Sequence, residues 1–387
     1  MLQRILAIGL IFVCTSAAWF VLGSTIDTRT YHSDGKLRSG VSAIWGSPQQ
    51  QAPPAATIEL GDPRKPVEIP IESSRIQAAF ELEHRQKGLL WYSTYWVNLN
   101  GVYRFRNPST EPQTMVFRLR FPAERAIYDG LVMEVNGRAL PLSSDAKGAQ
   151  VTATVASQES ASLRVAYRSR GLESWIYKLG DDVTQTRDFE LRLKTNFKQI
   201  DFPGNGLSPT EKLQVGGGWE LVWRYTNLIS GFQIGLTMPD RLQPGPLAGQ
   251  ISYFAPVSLL LFFFLMFIIT TLRGIELHPM NYFFLATAFF AFHLLLAYLV
   301  DHISIHLAFL ICSVVSISLV VSYLRIVVGP RFAWREAGGA QFIYLVLFSY
   351  AFFLEGYTGL SVTIGCIVTL FVVMQLTARI RWAERFA

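Results

Sequence analysis

The sequence predicts a membrane α-helical bundle of about six transmembrane helices, with an antiparallel all-β extracytoplasmic domain inserted after the first helix. Three observations carry this. The 387-residue chain is 51% hydrophobic with a mean hydropathy of +0.30, too apolar for a soluble protein of that length. The excess is uneven: residues 24–250 are mixed, with 26 Lys and Arg against 23 Asp and Glu, whereas Leu, Phe, Val, Ile and Ala dominate from Ile251 onward. Within the mixed stretch apolar residues recur at every second position, as half-buried strands require.

The first element is a signal-anchor helix, residues 1–23. A hydrocarbon core of roughly 30 Å needs about 20 apolar residues in a helix, and residues 5–23 supply them behind Arg4. The run is long for a cleaved signal peptide and Ala17-Ala18 sits inside it, so an uncleaved anchor is expected. Residues 24–56 read as a membrane-proximal segment and linker, with Gln-Gln-Gln-Ala-Pro-Pro-Ala-Ala at 49–56 flexible or extended.

Residues 57–250 read as a sandwich-like β-domain. Met115, Phe117, Leu119 and Phe121 alternate with polar or smaller residues, as do Leu163, Val165 and Tyr167, and Phe189, Leu191 and Leu193. Asn100-Gly101 and Asn136-Gly137 suit type I′ hairpin turns, since both residue types tolerate φ > 0. A helical period is expected only over 76–85. Trp45, Trp91, Trp96, Trp175, Trp219 and Trp223 lie between residues 24 and 250. They read first as sheet packing, and second as an aromatic face for carbohydrate or peptide.

Residues 251–376 form the five-helix domain, with spans at 251–272, 280–300, 303–327, 341–357 and 358–376, and residues 377–387 form a tail. Outside residues 24–250 every basic residue is an arginine: Arg4, Arg273, Arg325, Arg331, Arg335, Arg379, Arg381 and Arg385. If the N-terminus is inside, all eight fall on the cytoplasmic side, as the positive-inside rule demands. Both termini are then cytoplasmic and the β-domain is outside.

Several chemistries are excluded. Cys14, Cys312 and Cys366 all fall in expected spans, so the β-domain must be stable without disulfides. No Cys-x-x-Cys, nucleophile elbow, zinc-protease or phosphate-loop motif is present. The net charge is +6, with no basic block, so nucleic acid is not an expected partner. No cofactor, metal site or catalytic residue is expected, and the protein reads as not an enzyme.

From residue 216 to 382 the residues are similar to a known family. They include Gly216-Gly217-Gly218-Trp219 with Trp223, Ala255-Pro256-Val257-Ser258-Leu259-Leu260, Leu277-His278-Pro279-Met280 with Tyr282, and Asp301-His302. Leu354-Glu355-Gly356-Tyr357 and Thr377-Ala378-Arg379-Ile380-Arg381-Trp382 follow, and Ser42-Ala43-Ile44-Trp45-Gly46 precedes them. In this order and spacing the chain resembles the CreD family of bacterial inner-membrane proteins. The resemblance implies an inner-membrane protein that supports cell-envelope integrity or a stress response. The family pattern often carries Glu-His where this chain has Asp301-His302, and Glu-Asp-Tyr where it has Glu355-Gly356-Tyr357.

Ionisable groups in or beside the membrane need a reason, because burying charge there is costly. Asp301 and His302 fall in one outer turn and Glu355 in the other, with His306 one helical turn past His302. These four form a candidate outer-face polar cluster, structural or metal-binding. His293, deeper in an apolar helix, is a candidate intramembrane polar group: a packed imidazole bonded to a neighbouring helix, or part of a proton path. Glu276 and His278 before Pro279 suit a helix start, and Arg273 could pair with Glu276. The expected function is a non-enzymatic envelope protein whose β-domain binds an envelope protein or glycan. The alternatives are a transporter or channel formed by the bundle, and a sensor acting through a partner. Oligomeric state, ligand and regulating pathway are open at this level.

Overall fold

The computed structural model describes residues 2–59, 66–87, 90–123, 126–180 and 183–378, without the side chains of 2 and 33–39. The chain forms two compact units. One takes the two ends of the chain, up to Gly35 and from Leu242 on; the other takes Lys36–Lys87 and Trp91–Arg241.

Six helices among the described residues are long and apolar enough to cross a membrane. They are α1 (Leu2–Trp45), α2 (Pro244–Leu272), α3 (Pro279–Leu299), α4 (Ile305–Val327), α5 (Pro330–Phe353) and α6 (Thr358–Thr377). Three differ from the sequence expectation, α2 by starting at Pro244 rather than 251. α1 does not stop at residue 23, because no proline interrupts the chain before Pro48. It ends at Gly46, whose φ of +99° suits a helix C-terminus and where a Cβ would strike the Arg170 carbonyl. α5 begins at Pro330 rather than 341 and ends at Phe353, and it carries two π-helical stretches, Ala333–Gly338 and Phe342–Leu347. Pro279 opens α3 as expected, with His278 Nδ1 accepting from the Met280 N–H at 3.2 Å.

The second unit is a β-sandwich, mostly antiparallel. Its largest sheet has eight strands in the order Glu211–Val215, Gly218–Ser230, Thr184–Thr195, Ile71–Lys87, Leu90–Arg106, Ser160–Leu172, Tyr128–Val135 and Arg138–Ala139. A five-stranded sheet orders Val67–Ile69, Ala55–Ile58, Gln113–Arg120, Gly148–Val155 and Ser143–Asp145. A third sheet joins Gln49–Gln51, Ser174–Tyr177 and Ile234–Thr237. Two pairings are parallel, Thr184–Thr195 with Ile71–Lys87 and Gln49–Gln51 with Ser174–Tyr177. One core is shared by all three sheets: Phe105 meets Phe117 edge-on at 5.5 Å, and Trp175 packs on Phe80 at 5.3 Å.

The alternating residues point as read. Met115, Phe117, Leu119, Leu163, Val165, Tyr167, Phe189, Leu191 and Leu193 are all buried, while Phe121, just past its strand, is half-buried against the core. Asn136 and Gly137, at φ 51° and 77°, make the two-residue turn between Tyr128–Val135 and Arg138–Ala139.

Three local expectations fail. Residues 76–85 are strand, since Ile76, Ala78 and Phe80 alternate into the core. Asn100-Gly101 lies mid-strand, paired with Ala166 and Val165. Gly101 serves there as a close approach: a Cβ would sit 2.8 Å from the Tyr103 ring. The glutamine run is not a linker. Gln49 is buried and donates to Ser169 Oγ (2.8 Å) and the Arg170 carbonyl (3.0 Å), and buried Gln51 accepts from the Tyr167 hydroxyl. Polar side chains are tolerated in that core because each finds a partner.

Candidate functional site

Contacts within the helical unit sort its two ends. At one end Arg4 lies over the Phe267 ring, Tyr323 donates to Asn281 Oδ1 at 2.7 Å, and Arg273 pairs with Glu336. The expected partner of Arg273 was Glu276; α5 starts early enough to bring Glu336 instead. Arg325, Arg331 and Arg335 lie on α4 and α5 toward this end, whereas Arg379, Arg381 and Arg385 lie outside the described residues.

The other end carries the candidate polar cluster. Asp301 pairs with Arg29 of α1, at 3.0 Å. Arg29 also donates to the Ala297 carbonyl at 2.9 Å and lies 5.5 Å from the Tyr298 ring centroid. His306 tilts over the Phe353 ring at 5.3 Å, which joins α4 to α5. His302 and Glu355 are exposed. Among the described residues no hydrogen bond or ion pair links Asp301, His302, His306 and Glu355 to one another, and no three His, Cys, Asp or Glu side chains are grouped to hold a metal ion. Arg29 is the residue that sequence reading assigned to the wrong region. Its signal was the absence of a helix breaker after Gly23.

Polar side chains inside the bundle lie between helices. His293 is buried; its Nδ1 bonds to the Phe289 carbonyl of its own helix at 2.9 Å, not to a neighbouring helix, and its ring meets Trp19 edge-on at 5.7 Å. Ser316 of α4 donates to the Ala288 carbonyl of α3 at 2.7 Å, and Gln341 of α5 donates to Ser316 at 2.9 Å. Ser258 of α2 donates to the Tyr344 carbonyl within the second π-helical stretch, and Tyr344 donates to Thr369 of α6 at 3.0 Å. π-Helical turns of this kind often occur at functional sites.

The second unit presents a different surface, on the outward face of its eight-stranded sheet. A groove of about 300 Å³ is lined by Gln77, Asn98, Asn100, Arg192, Lys194 and Glu220. Small residues make the room: Ala79 stands in register with Lys194, which faces Glu220 on its other side. The rim is fixed by charge. Arg192 pairs with Glu190 (2.6 Å) and Glu220 (3.3 Å), and Arg224 bridges Glu190 (3.1 Å) and Glu211 (2.9 Å). The hydrogen bond from Arg192 is the main cause holding the Glu190 carboxyl below its ordinary range, with a second from Arg224. Asn100 is oriented by Arg164, which donates to it at 3.1 Å. Among the described residues the side chains of Gln77, Asn98 and Lys194 have no hydrogen bond or ion pair.

The tryptophans offer no open aromatic platform. Trp175 and Trp223 are buried in the core. Trp45 lies near Arg85 and Lys87, Trp91 against Arg241, Trp96 against Arg168 and Arg170, and Trp219 against Lys212, at 4.2–6.0 Å from ring centroid to cation. Cation–π contact accounts for these half-buried indoles.

The family match falls within the helical unit. No curated protein matches the chain. Among solved structures, a candidate nutrient-binding protein from Legionella pneumophila aligns at 10% identity over 56% of this chain and 76% of its own, with a TM-score of 0.37. A zinc metallopeptidase of the M1 type from Deinococcus radiodurans aligns at 12% identity over 43% of this chain and 42% of its own, with a TM-score of 0.25. Neither likeness is close enough to carry an argument. Residues 248–383 match the family described as inner membrane protein CreD, which bears out the resemblance read from the sequence; with six helices among the described residues long and apolar enough to cross a membrane, the match supports a multi-pass inner-membrane protein.

Proposed function

We propose that the helical unit anchors the sheet unit on the extracytoplasmic side of the inner membrane, and that the polar sheet face binds an envelope glycan in support of envelope integrity. The observation that carries this reading is the groove over Ala79. It offers two unengaged amides, Gln77 and Asn98, and one unengaged ammonium, Lys194, inside a rim whose other charges are already paired. Amides both donate and accept, as hydroxyl-rich sugars demand, and an ammonium adds affinity for a sugar carboxylate. The role is binding; no nucleophile paired with a base lines the groove.

The test is binding of soluble peptidoglycan fragments to the detergent-solubilised full chain by calorimetry. Wild type should bind, and Asn98→Ala with Lys194→Ala should weaken binding at least tenfold, at about 1.4 kcal/mol per decade. No glycan binding, or capture of a protein by a crosslinker placed at Asn98 in the absence of glycan, would overturn the reading. Orientation is checked separately. A reporter active only in the cytoplasm should work after Ala387 and fail near Gly148.

A second reading, transport through the bundle, rests on the π-helical stretches of α5 beside the Gln341–Ser316–Ala288 hydrogen bonds. Solute flux in proteoliposomes that disappears with Gln341→Leu would favour it.

A further inference from the structure

In the helical unit, α4 and α5 do not close completely. Between them runs a groove of about 450 Å³, lined on α4 by His306, Phe309 and Ser313 and on α5 by Phe342, Val346 and Tyr350. The lining continues to Ile317, so on α4 it spans twelve residues and a rise of about 16 Å at 1.5 Å per residue, one leaflet of a hydrocarbon core of roughly 30 Å. A volume of about 450 Å³ over that length leaves a channel about 6 Å across. A helix with its side chains is about 10–12 Å wide and cannot enter it. A single hydrocarbon chain can.

The groove is amphipathic along its length. Below its mouth the walls are aromatic and aliphatic, and Ser313 turns its hydroxyl back onto the Phe309 carbonyl at 2.7 Å. Phe309, Tyr350 and Phe353 form one ring cluster, with centroids 5.2–5.9 Å apart. The mouth lies at the Arg29–Asp301 end and is marked by His306, whose ring rests on Phe353. His306 stands in the first turn of α4, where the Ser304 side chain makes no cap and backbone N–H groups face outward from the helix end. An imidazole N–H beside such a turn suits phosphate oxygens.

We propose that this groove holds one acyl chain of a membrane phospholipid, with the lipid phosphate at His306. The site is independent of the sheet groove and of any glycan. α5 is shaped for it, because the π-helical stretch Phe342–Leu347 widens the helix along the length of Val346.

The experiment uses the full chain in nanodiscs doped with a phospholipid carrying a photoreactive group midway along one acyl chain. Crosslinked peptides should map to α4 and α5 around Ser313 and Val346, and native mass spectrometry should find one retained phospholipid per chain. Ser313→Trp should abolish both signals. His306→Ala should keep the chain in place but weaken retention at least about tenfold, through the loss of one hydrogen bond to a charged group. Leu319→Trp, on the opposite side of α4, should change nothing. Crosslinks spread evenly over all six helices, retention insensitive to His306→Ala, or a second copy of the chain captured at the groove would each overturn the proposal. If Ser313→Trp fails to fold, the crosslink map and His306→Ala decide it alone.

Discussion

Polarity marks opposite places in the two units. In the sheet unit a charged side chain marks the surface: Arg118 and Arg120 are exposed while Phe117 and Leu119, alternating with them, are buried. In the helical unit polar side chains mark the inside, as Ser258, Ser316, Gln341 and His293 show, and the outside is as apolar as the core. Phe262 is fully buried, whereas Phe264 two residues on is 46% exposed. The cause is solvent. Water expels every second residue of a strand that is apolar, whereas lipid is indifferent to an apolar helix face and leaves helices to recognise one another by packing and hydrogen bonds.

The largest test of that contrast is Phe117→Ala set against Arg118→Ala. Phe117 is fully buried and meets Phe105 across the sandwich, so its loss should cost about 3–5 kcal/mol and remove the cooperative melt of the sheet unit. Arg118, one residue on, holds an exposed pair with Asp145 at 3.0 Å, worth under about 1 kcal/mol. Thermal melts of the full chain in detergent, followed by near-ultraviolet circular dichroism, should separate the two by about 4–20 °C. Equal shifts would break the contrast.

The same difference decides what could be read in the sequence. Alternation around Phe117, Leu163 and Leu191 showed the sheet core directly, because burial there follows a period of two. Asn136-Gly137 was legible as a turn and Asn100-Gly101 was not. The motif is the same, but the second is held in a seventeen-residue strand by unbroken pairing and by the Tyr103 ring against Gly101. The glutamines at 49–51 read as linker because burial of an amide depends on partners such as Ser169 and Tyr167, more than a hundred residues away. In the bundle, the number of spans was legible and helix faces were not. Asp301 and His306 stood out as ionisable groups at a helix end, yet their contacts, Arg29 and Phe353, come from helices that no local pattern connects to them. The sheet groove was missed because its signal is an outward row of amides, Gln77, Asn98 and Asn100, which in sequence reads as an ordinary solvated sheet face.

A smaller effect sharpens the helical side of the comparison. Ser316 joins Ala288 to Gln341, so Ser316→Ala removes two hydrogen bonds and leaves the buried Gln341 amide N–H unpaired. Interhelical hydrogen bonds in membranes average about 0.6 kcal/mol and reach about 1.7, so a loss near 1 kcal/mol is expected. Adding Gln341→Leu should recover most of it, because removing both partners is far less costly than removing one. Unfolding of the helical unit in mixed micelles measures both. A double variant worse than either single would show that these polar groups do something besides joining helices.

The smallest effect lies on the charged sheet face, where polarity faces water. Glu190 accepts from Arg192 and Arg224, and the Arg192 hydrogen bond is the larger cause of its lowered pKa. A carboxyl whose pKa is lower folded than unfolded binds fewer protons when folded. Its contribution is therefore complete above the unfolded value of 4.5 and is lost as the pH falls through the lower, folded value. The arginines are partly exposed, at 40% and 52%, and solvent screens most of the gain. Comparing wild type with Glu190→Gln between pH 7 and pH 3 should show the variant slightly less stable at neutral pH, with the two curves converging in acid. The gap should also shrink in high salt, as it must for charges in contact with water. A gap that persists at pH 3 would mean that Glu190 acts through packing, and the rule that charged side chains on this sheet mark only its surface would fail at that strand.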